Sequence, residues 1–225
     1  MKIDANYDLM RDVDSRFRAA SGLRSRAHYS IFYGPLRRSR ILMINANPGG
    51  SPSSYQIVDV EGGEHEYIEG KHSGQTTRNG AEMLMHIAGS SNPESLRGVQ
   101  VLNRYFRRSP GVDKKSEQSH MKEARPFLNE LLNYIQPEAI LFGGDSGVDI
   151  FARAHGGTAI GGDPIKGPNG SNEANYFREY ELRLPEYRTV AAYGVYHPSK
   201  MNRVFRETVF PILRDRLGPL MPSAT

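Results

Sequence analysis

The stretch Ile41-Leu42-Met43-Ile44-Asn45-Ala46-Asn47-Pro48-Gly49-Gly50 decides the fold. It begins with an apolar run that has the length of a buried strand, and the run ends at an Asn-Pro-Gly-Gly turn. Glycine lets another backbone come close, and the asparagine beside it offers a polar side chain suited to chemistry. A buried strand that ends on such a turn is typical of a site at the carboxyl edge of an open α/β sheet.

Three more apolar runs have the same form. They are residues 99–102 before Asn103, residues 139–142 before Gly143-Gly144, and residues 189–193 ahead of His197-Pro198-Ser199-Lys200-Met201-Asn202-Arg203. The apolar spacing predicts helices over residues 7–20, 77–89, 122–135 and 204–217, a short helix after residue 147, and one more strand over residues 180–184. This alternation favours an α/β protein, a three-layer α/β/α domain with a central, mostly parallel sheet of about four strands.

Long polar segments separate these elements. Residues 51–76 are rich in Gly and Ser and lack periodicity, so we expect a long loop over the strand ends, where loops of this length are usually functional. A second loop is expected over residues 111–120. Residues 156–175 are rich in Gly and Asn and are expected to be irregular.

Composition restricts the classes of function. The chain has 225 residues and a net charge of +4, which predicts one domain over residues 1–225 and is compatible with a polyanionic partner. The absence of cysteine excludes disulfides, thiolate metal sites and iron–sulfur clusters, and it suits a reducing cytoplasm. No stretch approaches the ~20 apolar residues of a membrane span, and no signal peptide is recognised. We therefore expect a cytoplasmic protein with no membrane association, no cofactor, no metal and no obligatory protein partner.

A polar residue or a pair of glycines follows each of the four predicted parallel strands. They are Asn47, Asn103, Gly143-Gly144 and His197. Because the carboxyl ends of parallel strands meet at the same edge of a sheet, we expect these residues to share one cleft.

In this order, the four strand ends resemble the uracil-DNA glycosylase superfamily. The similarity runs from about residue 41 to residue 217 and consists of Asn47-Pro48-Gly49, Leu102-Asn103, Leu141-Phe142-Gly143 and His197-Pro198-Ser199. The first string is similar to the Gly-x-Asn-Pro-Gly form of the mismatch-specific and single-strand-selective branches, and the last resembles their His/Asn-Pro-Ser-x-x-Asn form. The resemblance implies a hydrolase, a monofunctional DNA N-glycosylase. Such an enzyme flips a base out of DNA, hydrolyses its N-glycosidic bond and leaves an abasic site.

The resemblance also implies the roles of single residues. Asn47 would hold and orient the attacking water, and His197 would donate a hydrogen bond to the carbonyl oxygen of the departing pyrimidine. Asn103 would read the Watson–Crick edge of the flipped base. Tyr55 is the candidate for the aromatic platform below that base, with Tyr67 as the alternative.

DNA is the partner that the resemblance implies, and the two turns would grip it. Met201 stands where the family places the side chain that fills the vacated base stack. The phosphate contacts would come from residues of the same two turns, which are Gly49, Gly50, Ser51, Ser199, Lys200, Asn202 and Arg203.

Three departures from the family pattern affect the choice of base. Asn45 stands where the family has Gly, and Lys200 replaces a small residue or Pro. Residues 51–76 are also longer and more acidic than a pocket for uracil requires. We therefore hypothesise that the released base is uracil or a pyrimidine with a bulky substituent, in DNA repair or in defence against modified phage DNA.

Simpler interpretations remain open at this point. Each string alone is an ordinary turn, in which Ser199 is a helix N-cap, Asn103 satisfies a strand end and Met201 is a core residue. Asp145 is expected to cap the short helix that follows it. Two other functions are a catalytically silent DNA-binding protein and a small-molecule or nucleotide hydrolase that binds an anion at residues 143–147.

Overall fold

A computed structural model of the chain describes residues 5–49, 58–69, 74–109, 114–169, 172–185 and 187–221. The helices in these ranges are α1 (Tyr7–Ser21), α2 (Glu66–Glu69), α3 (Gln75–Ala88), α4 (Lys114–Ile135), α5 (Ser146–Ala154) and α6 (Arg203–Leu217). The strands are β1 (Ile41–Asn45), β2 (Gln100–Asn103), β3 (Ala139–Gly143), β4 (Thr158–Gly161), β5 (Ile165–Asn169), β6 (Asn172–Arg183) and β7 (Val190–Val195).

The strands form one mixed sheet in the order β2-β1-β3-β7-β6-β4, and β5 also pairs with β6. The strands β2, β1, β3 and β7 are parallel to one another, as the apolar runs predict. The strand β6 runs antiparallel to β7, and both β4 and β5 run antiparallel to β6. The predicted sheet of about four strands is therefore only the parallel half of a seven-stranded sheet.

Helices cover both faces of the parallel strands, which explains their continuous apolar runs. Leu42 and Ile44 of β1 pack into a cluster with apolar residues of α1, α4 and α5. The alternate residues Ile41 and Met43 pack on the other face with α3 and α6. Within the described ranges, no helix is both long and apolar enough to cross a membrane.

All three segments expected to be irregular contain regular structure. The short helix α2 lies within the loop expected over residues 51–76. The helix α4 begins at Lys114, inside the loop predicted over residues 111–120. The first turns of α4 are polar and lack apolar spacing, so the sequence pattern does not predict a helix there. Within these turns, Glu117 forms a buried ion pair with Arg104. The strands β4 and β5 occupy the segment predicted as irregular, and β6 is longer than the predicted strand. The strands β4 and β5 are mostly exposed and therefore have no apolar pattern. Their hydrogen bonds to β6 are what make them strands.

The carboxyl ends of the parallel strands coincide. Asn45 of β1 is the register partner of Asn103 of β2, and Gly143 of β3 is the register partner of Val195 of β7. The chain passes from β1 to its neighbour β2 and then crosses back past β1 to β3, so the strand order reverses at β1. Ligands of open α/β sheets bind at this kind of topological switch point.

Candidate active site

The turn that follows β1 is held by the segment that follows β2. The backbone N–H of Arg104 donates to the carbonyl of Asn45 at 2.8 Å. Further along, Nη1 of Arg108 donates to the carbonyl of Gly49 at 2.6 Å. The Asn-Pro-Gly turn is therefore fixed at both ends, and only its exposed Gly49 presents open space around its Cα.

Asn47 is anchored by its amide nitrogen. Nδ2 donates to Oγ and to the carbonyl of Ser109, at 2.9 and 3.1 Å, and to the carbonyl of Pro48 at 3.3 Å. The side chain is half-buried, and no residue in the described ranges donates to its Oδ1. The amide oxygen is therefore available to accept a hydrogen bond from water or from a ligand.

His197 follows β7 and precedes the short 3-10 turn Pro198–Lys200. Its Nδ1 accepts the backbone N–H of Ser199 at 3.3 Å and lies 2.8 Å from Oγ of the same residue. An N–H group donates only to an unprotonated ring nitrogen, so the proton of the neutral imidazole is on Nε2. Burial, followed by the positive charges of Lys200 and Arg104, lowers the pKa of His197 below its ordinary value. The side chain is therefore a neutral donor through Nε2–H near pH 7.

The helix α3 supports the His197 turn from below. Nδ2 of Asn79 donates to the carbonyl of Pro198. The Oδ1 atom of Asn79 accepts from Nη2 of Arg206 at 3.1 Å, and Arg206 also pairs with Glu82 at 2.9 Å. No sequence pattern marks Asn79 for this role, because it lies within a helix and outside every motif.

Asn103 is fully buried in the structure. Its Oδ1 accepts from the hydroxyl of Tyr33 at 3.0 Å, and its Nδ2 lies 3.5 Å from the carbonyl of Ser30. A base reaches the amide of Asn103 only after Tyr33 moves away. No sequence motif marks Tyr33, which precedes β1 in an irregular segment.

Asn45 fills a space that the glycine of β3 leaves open. Its Nδ2 donates to the hydroxyl of Tyr67 at 2.9 Å, and its buried Oδ1 has no hydrogen-bond partner among the described residues. A Cβ atom on Gly143 would lie only 2.7 Å from that oxygen. The unusual asparagine of the first string is therefore accommodated by the glycine of the third.

Two tyrosines and one carboxyl complete this side of the site. The rings of Tyr33 and Tyr67 pack edge to face with their centres 5.6 Å apart. Tyr67 is buried, and its hydroxyl is engaged by Asn45, so its ring forms part of a wall and is not an open platform. Burial raises the pKa of the neighbouring Glu66 to about 7, although the charge of Arg108 opposes this shift. We call Tyr33, Asn45, Glu66, Tyr67 and Asn103 the polar wall.

The structure places Met201 and the N-cap of the last helix differently from the prediction. Met201 is only 5% exposed and packs in the apolar cluster formed with α3 and α6, so it is a core side chain and not an exposed wedge. The cap of α6 is Asn202 and not Ser199, because Oδ1 of Asn202 accepts the N–H of Phe205 at 2.9 Å. The Nδ2 group of Asn202 donates to the hydroxyl of Tyr176 at 2.6 Å.

Two of the phosphate contacts expected from the His197 turn are on the surface. Lys200 is exposed, and Arg203 is exposed and pairs with Glu207 at 2.6 Å. Ser199 is half-buried against His197. The expected contacts Gly50, Ser51 and Tyr55 lie outside the described residues.

The turn at residues 143–147 is arranged differently from the expected cap. The carboxylate of Asp145 makes no capping bond to α5. It accepts instead from the hydroxyl of Tyr180 and from Nδ2 of Asn175, both at 2.8 Å. In the part of the chain that the structure describes, no three His, Asp or Glu side chains are grouped to hold a metal ion.

Comparison with known proteins adds no relative. No protein-family model matches the chain. A search of curated proteins finds no significant sequence similarity.

Proposed function

We propose that this chain is a monofunctional DNA N-glycosylase of the uracil-DNA glycosylase kind, which releases uracil or a modified pyrimidine and leaves an abasic site. The observation that carries the proposal is the pairing of two complementary groups at one edge of the sheet. After β1, Asn47 presents an amide oxygen that accepts from no described residue, and after β7, His197 presents a neutral ring N–H. The helices on both faces of the parallel strands support the three-layer arrangement of that superfamily.

Cleavage of an N-glycosidic bond develops positive charge on the sugar and negative charge on the departing base. The Nε2–H group of His197 donates to the carbonyl oxygen on which the negative charge grows. A neutral imidazole stabilises that oxygen by a hydrogen bond and keeps its proton. Its half-buried position strengthens the interaction, because surrounding water screens it less.

Asn47 positions the attacking water in this mechanism. An amide is not a base near neutral pH, so its oxygen accepts one water proton in a hydrogen bond and fixes the direction of attack. The oxocarbenium-like sugar is a strong electrophile, so a water molecule held in place attacks it without prior deprotonation, and the proton that the water then loses passes to the departing base anion or to solvent. The three hydrogen bonds of Nδ2 keep the amide oxygen in a fixed orientation.

Recognition of the base falls to the polar wall. Asn103 has an amide able both to donate and to accept, and it becomes available once Tyr33 releases it. Glu66 adds a carboxyl group to the same wall. Such a wall, together with the long segment over residues 51–76, fits a pyrimidine with an added substituent as well as uracil. Release of a substituted pyrimidine serves defence against modified phage DNA, and release of uracil serves base-excision repair. Both roles are proposed for the cytoplasm.

The DNA backbone lies across the two turns in this proposal. Lys200 and Arg203 are exposed beside the His197 turn and supply positive charge for phosphates. The exposed Gly49 leaves room for a phosphate or sugar to approach the backbone of the first turn.

The test uses oligonucleotides that carry uracil, hypoxanthine, a thymine mismatch or a modified cytosine, and it scores alkali-sensitive abasic sites. We expect Asn47→Ala and His197→Ala each to slow base release by about 100-fold or more. Matched controls are Asn92→Ala and His28→Ala, which change the same residue types at exposed positions and should retain activity.

Two outcomes contradict the proposal. If base release survives both substitutions in the site, the roles of Asn47 and His197 are wrong. If no substrate yields an abasic site while DNA binding weakens steeply with salt, the chain is a DNA-binding protein without catalysis.

A further inference from the structure

The turn that carries His197 is closed by its own backbone. The N–H of Lys200 donates to the carbonyl of His197 at 2.8 Å, and the N–H of Met201 donates to the carbonyl of Pro198 at 3.3 Å. The ring nitrogen Nδ1 of His197 accepts the N–H of Ser199 at 3.3 Å. This last bond is long, so a small displacement of the turn breaks it. The state of the His197 ring therefore depends on what holds the turn from outside.

Two side chains of neighbouring helices hold the turn at two of its carbonyl groups. Nδ2 of Asn79 on α3 donates to the carbonyl of Pro198, the residue bonded directly to His197. Nη1 of Arg206 on α6 donates to the carbonyl of Met201 at 3.0 Å. Asn79 is only 7% exposed, so water competes little for its bond to Pro198. The turn is therefore clamped between α3 and α6.

Arg206 also decides which way the amide of Asn79 faces. An amide has a donor end and an acceptor end of nearly the same shape, so either end fits the same space. Nη2 of Arg206 donates to Oδ1 of Asn79 at 3.1 Å, and a guanidinium offers no acceptor for the other end. The NH2 group of Asn79 must therefore face the carbonyl of Pro198. Glu82 holds the guanidinium, because its two oxygens accept from Nε and Nη2 of Arg206 at 2.9 Å each.

Stability alone gives no reason for an asparagine at this position. Asparagine is a poorer helix former than alanine or leucine, and a buried amide must find partners for both of its ends. The two ends of the Asn79 amide lead to the same turn, one directly and the other through Arg206. Placement of His197 accounts for this buried amide better than packing of α3 does.

We propose that Asn79 is a positioning residue that holds His197 in place through the carbonyl of Pro198, and that Arg206 orients the amide of Asn79 for this role. The inference rests on the proposed glycosylase function. A donor that is fixed before the reaction stabilises the charge growing on the departing base without reorganisation at that moment. A turn free to shift places the Nε2–H group of His197 less well and selects its tautomer less strictly.

Asn79→Asp separates the position of the turn from the stability of the fold. A carboxylate has nearly the same size and still accepts from Arg206, but it has no donor for the carbonyl of Pro198. The matched control is Asn92→Asp. The exposed Asn92 acts only as an acceptor, for the N–H of Glu94 at 3.1 Å, and a carboxylate fills that role equally well.

A second pair of variants tests the part played by Arg206. Arg206→Gln removes the cation that orients the amide of Asn79 and keeps a polar side chain. Its matched control is Arg216→Gln, which lies about three helical turns further along α6. Arg216 also pairs with a glutamate, Glu179, at 2.9 Å.

The first measurement is made on the free protein and requires no substrate. Long-range proton–nitrogen NMR at pH 8, where an imidazole is neutral, shows which ring nitrogen of His197 carries the proton. The second measurement is the rate of base release in a single turnover. The third is the affinity for the same oligonucleotide.

We expect wild type to show one tautomer of His197, with Nδ1 unprotonated. Asn79→Asp and Arg206→Gln should each show a mixture of two tautomers, because the bond from Ser199 no longer selects one. Base release by Asn79→Asp should slow by about 10- to 100-fold, while its affinity for the oligonucleotide stays unchanged. Both controls should match wild type in all three measurements.

The inference is overturned if the His197 ring signals of Asn79→Asp equal those of Asn92→Asp, or if Asn79→Asp releases base at the rate of an active wild type. If Asn79→Asp does not fold, Arg206→Gln decides, and ring signals equal to those of Arg216→Gln overturn the inference. Failure of the proposed function has a different signature. In that case the ring signals of Asn79→Asp change as expected, which supports the role of Asn79, but wild type releases no base from any oligonucleotide.

Discussion

Glu66 makes the stability of the chain depend on pH. The residue is 8% exposed, and burial raises its pKa to about 7, with the charge of Arg108 acting in the opposite direction. In the unfolded chain the carboxyl returns to its ordinary value of 4.5. Between these two pH values the folded protein holds a proton that the unfolded chain releases, so the free energy of unfolding falls as pH rises through this window.

The size of the effect follows from the two pKa values. At about 1.4 kcal/mol per pKa unit, the interval from 4.5 to about 7 corresponds to about 3 kcal/mol at pH 8. At pH 5 the same relation gives less than about 1 kcal/mol. Glu66→Gln removes the charge and keeps the shape, so it should stabilise the protein by about 3 kcal/mol at pH 8 and much less at pH 5. For a chain of this length the gain at pH 8 corresponds to roughly 6–12 °C in Tm.

Urea unfolding at pH 5 and pH 8, followed by circular dichroism, measures this difference. The control is Glu69→Gln at the other end of α2, where the side chain is partly exposed and pairs with Arg97 at 3.6 Å. We expect its effect to stay within about 1 kcal/mol at both pH values. A stability gain for Glu66→Gln that is equal at the two pH values, or absent at pH 8, refutes the burial of an ionisable carboxyl at this position.

Three further predictions concern the packing beside the site, the start of α6 and a buried histidine at the end of α5. Gly143→Ala places a Cβ atom 2.7 Å from Oδ1 of Asn45 and should cost about 1–3 kcal/mol in urea unfolding. Adding Asn45→Ala should recover part of this loss, and no recovery means that the contact is not the cause. Asn202→Ala removes the acceptor for the N–H of Phe205 and should cost about 1 kcal/mol in thermal unfolding, so an unchanged Tm contradicts its capping role. Burial lowers the pKa of His155 to about 4, so stability should fall as pH drops from 6.5 through 4, and His155→Gln should flatten that limb in a pH series.

The parallel strands could be predicted because they are buried on both faces. Apolar side chains occupy the first four positions of β1 and of β3, so the sequence shows continuous apolar runs. The antiparallel strands β4 and β5 carry no such pattern, because most of their residues are exposed. Their presence depends on pairing with β6, which is a tertiary property.

The two residues that carry the proposed chemistry could also be predicted. Asn47 and His197 stand at the ends of apolar runs, and small turn residues beside them mark each place in the sequence. The contacts that fix their state could not be predicted in the same way. The proton on Nε2 of His197 follows from a bond to the backbone of Ser199, and the turn that carries both residues is held by Asn79 of α3.

The burial of Asn103 and Met201 could not be predicted, because it depends on packing against residues outside the sequence motifs. Asn103 is covered by Tyr33, a residue of an irregular segment that sequence patterns did not select. Met201 follows a turn that resembles a DNA-binding turn, but the apolar faces of α3 and α6 enclose its side chain. Whether a polar strand end is open or covered depends on side chains that are distant in the sequence.

Mass spectrometry of an intact oligonucleotide before and after incubation observes the proposed reaction directly. We predict that wild type converts a uracil-containing or modified-pyrimidine strand into the same strand without its base, with the phosphodiester backbone uncut. Asn47→Ala should bind the strand with unchanged affinity and form this product at least about 100 times more slowly. Failure of wild type to remove a base from any substrate that it binds, or an equal rate for Asn47→Ala, contradicts the assignment of a DNA N-glycosylase.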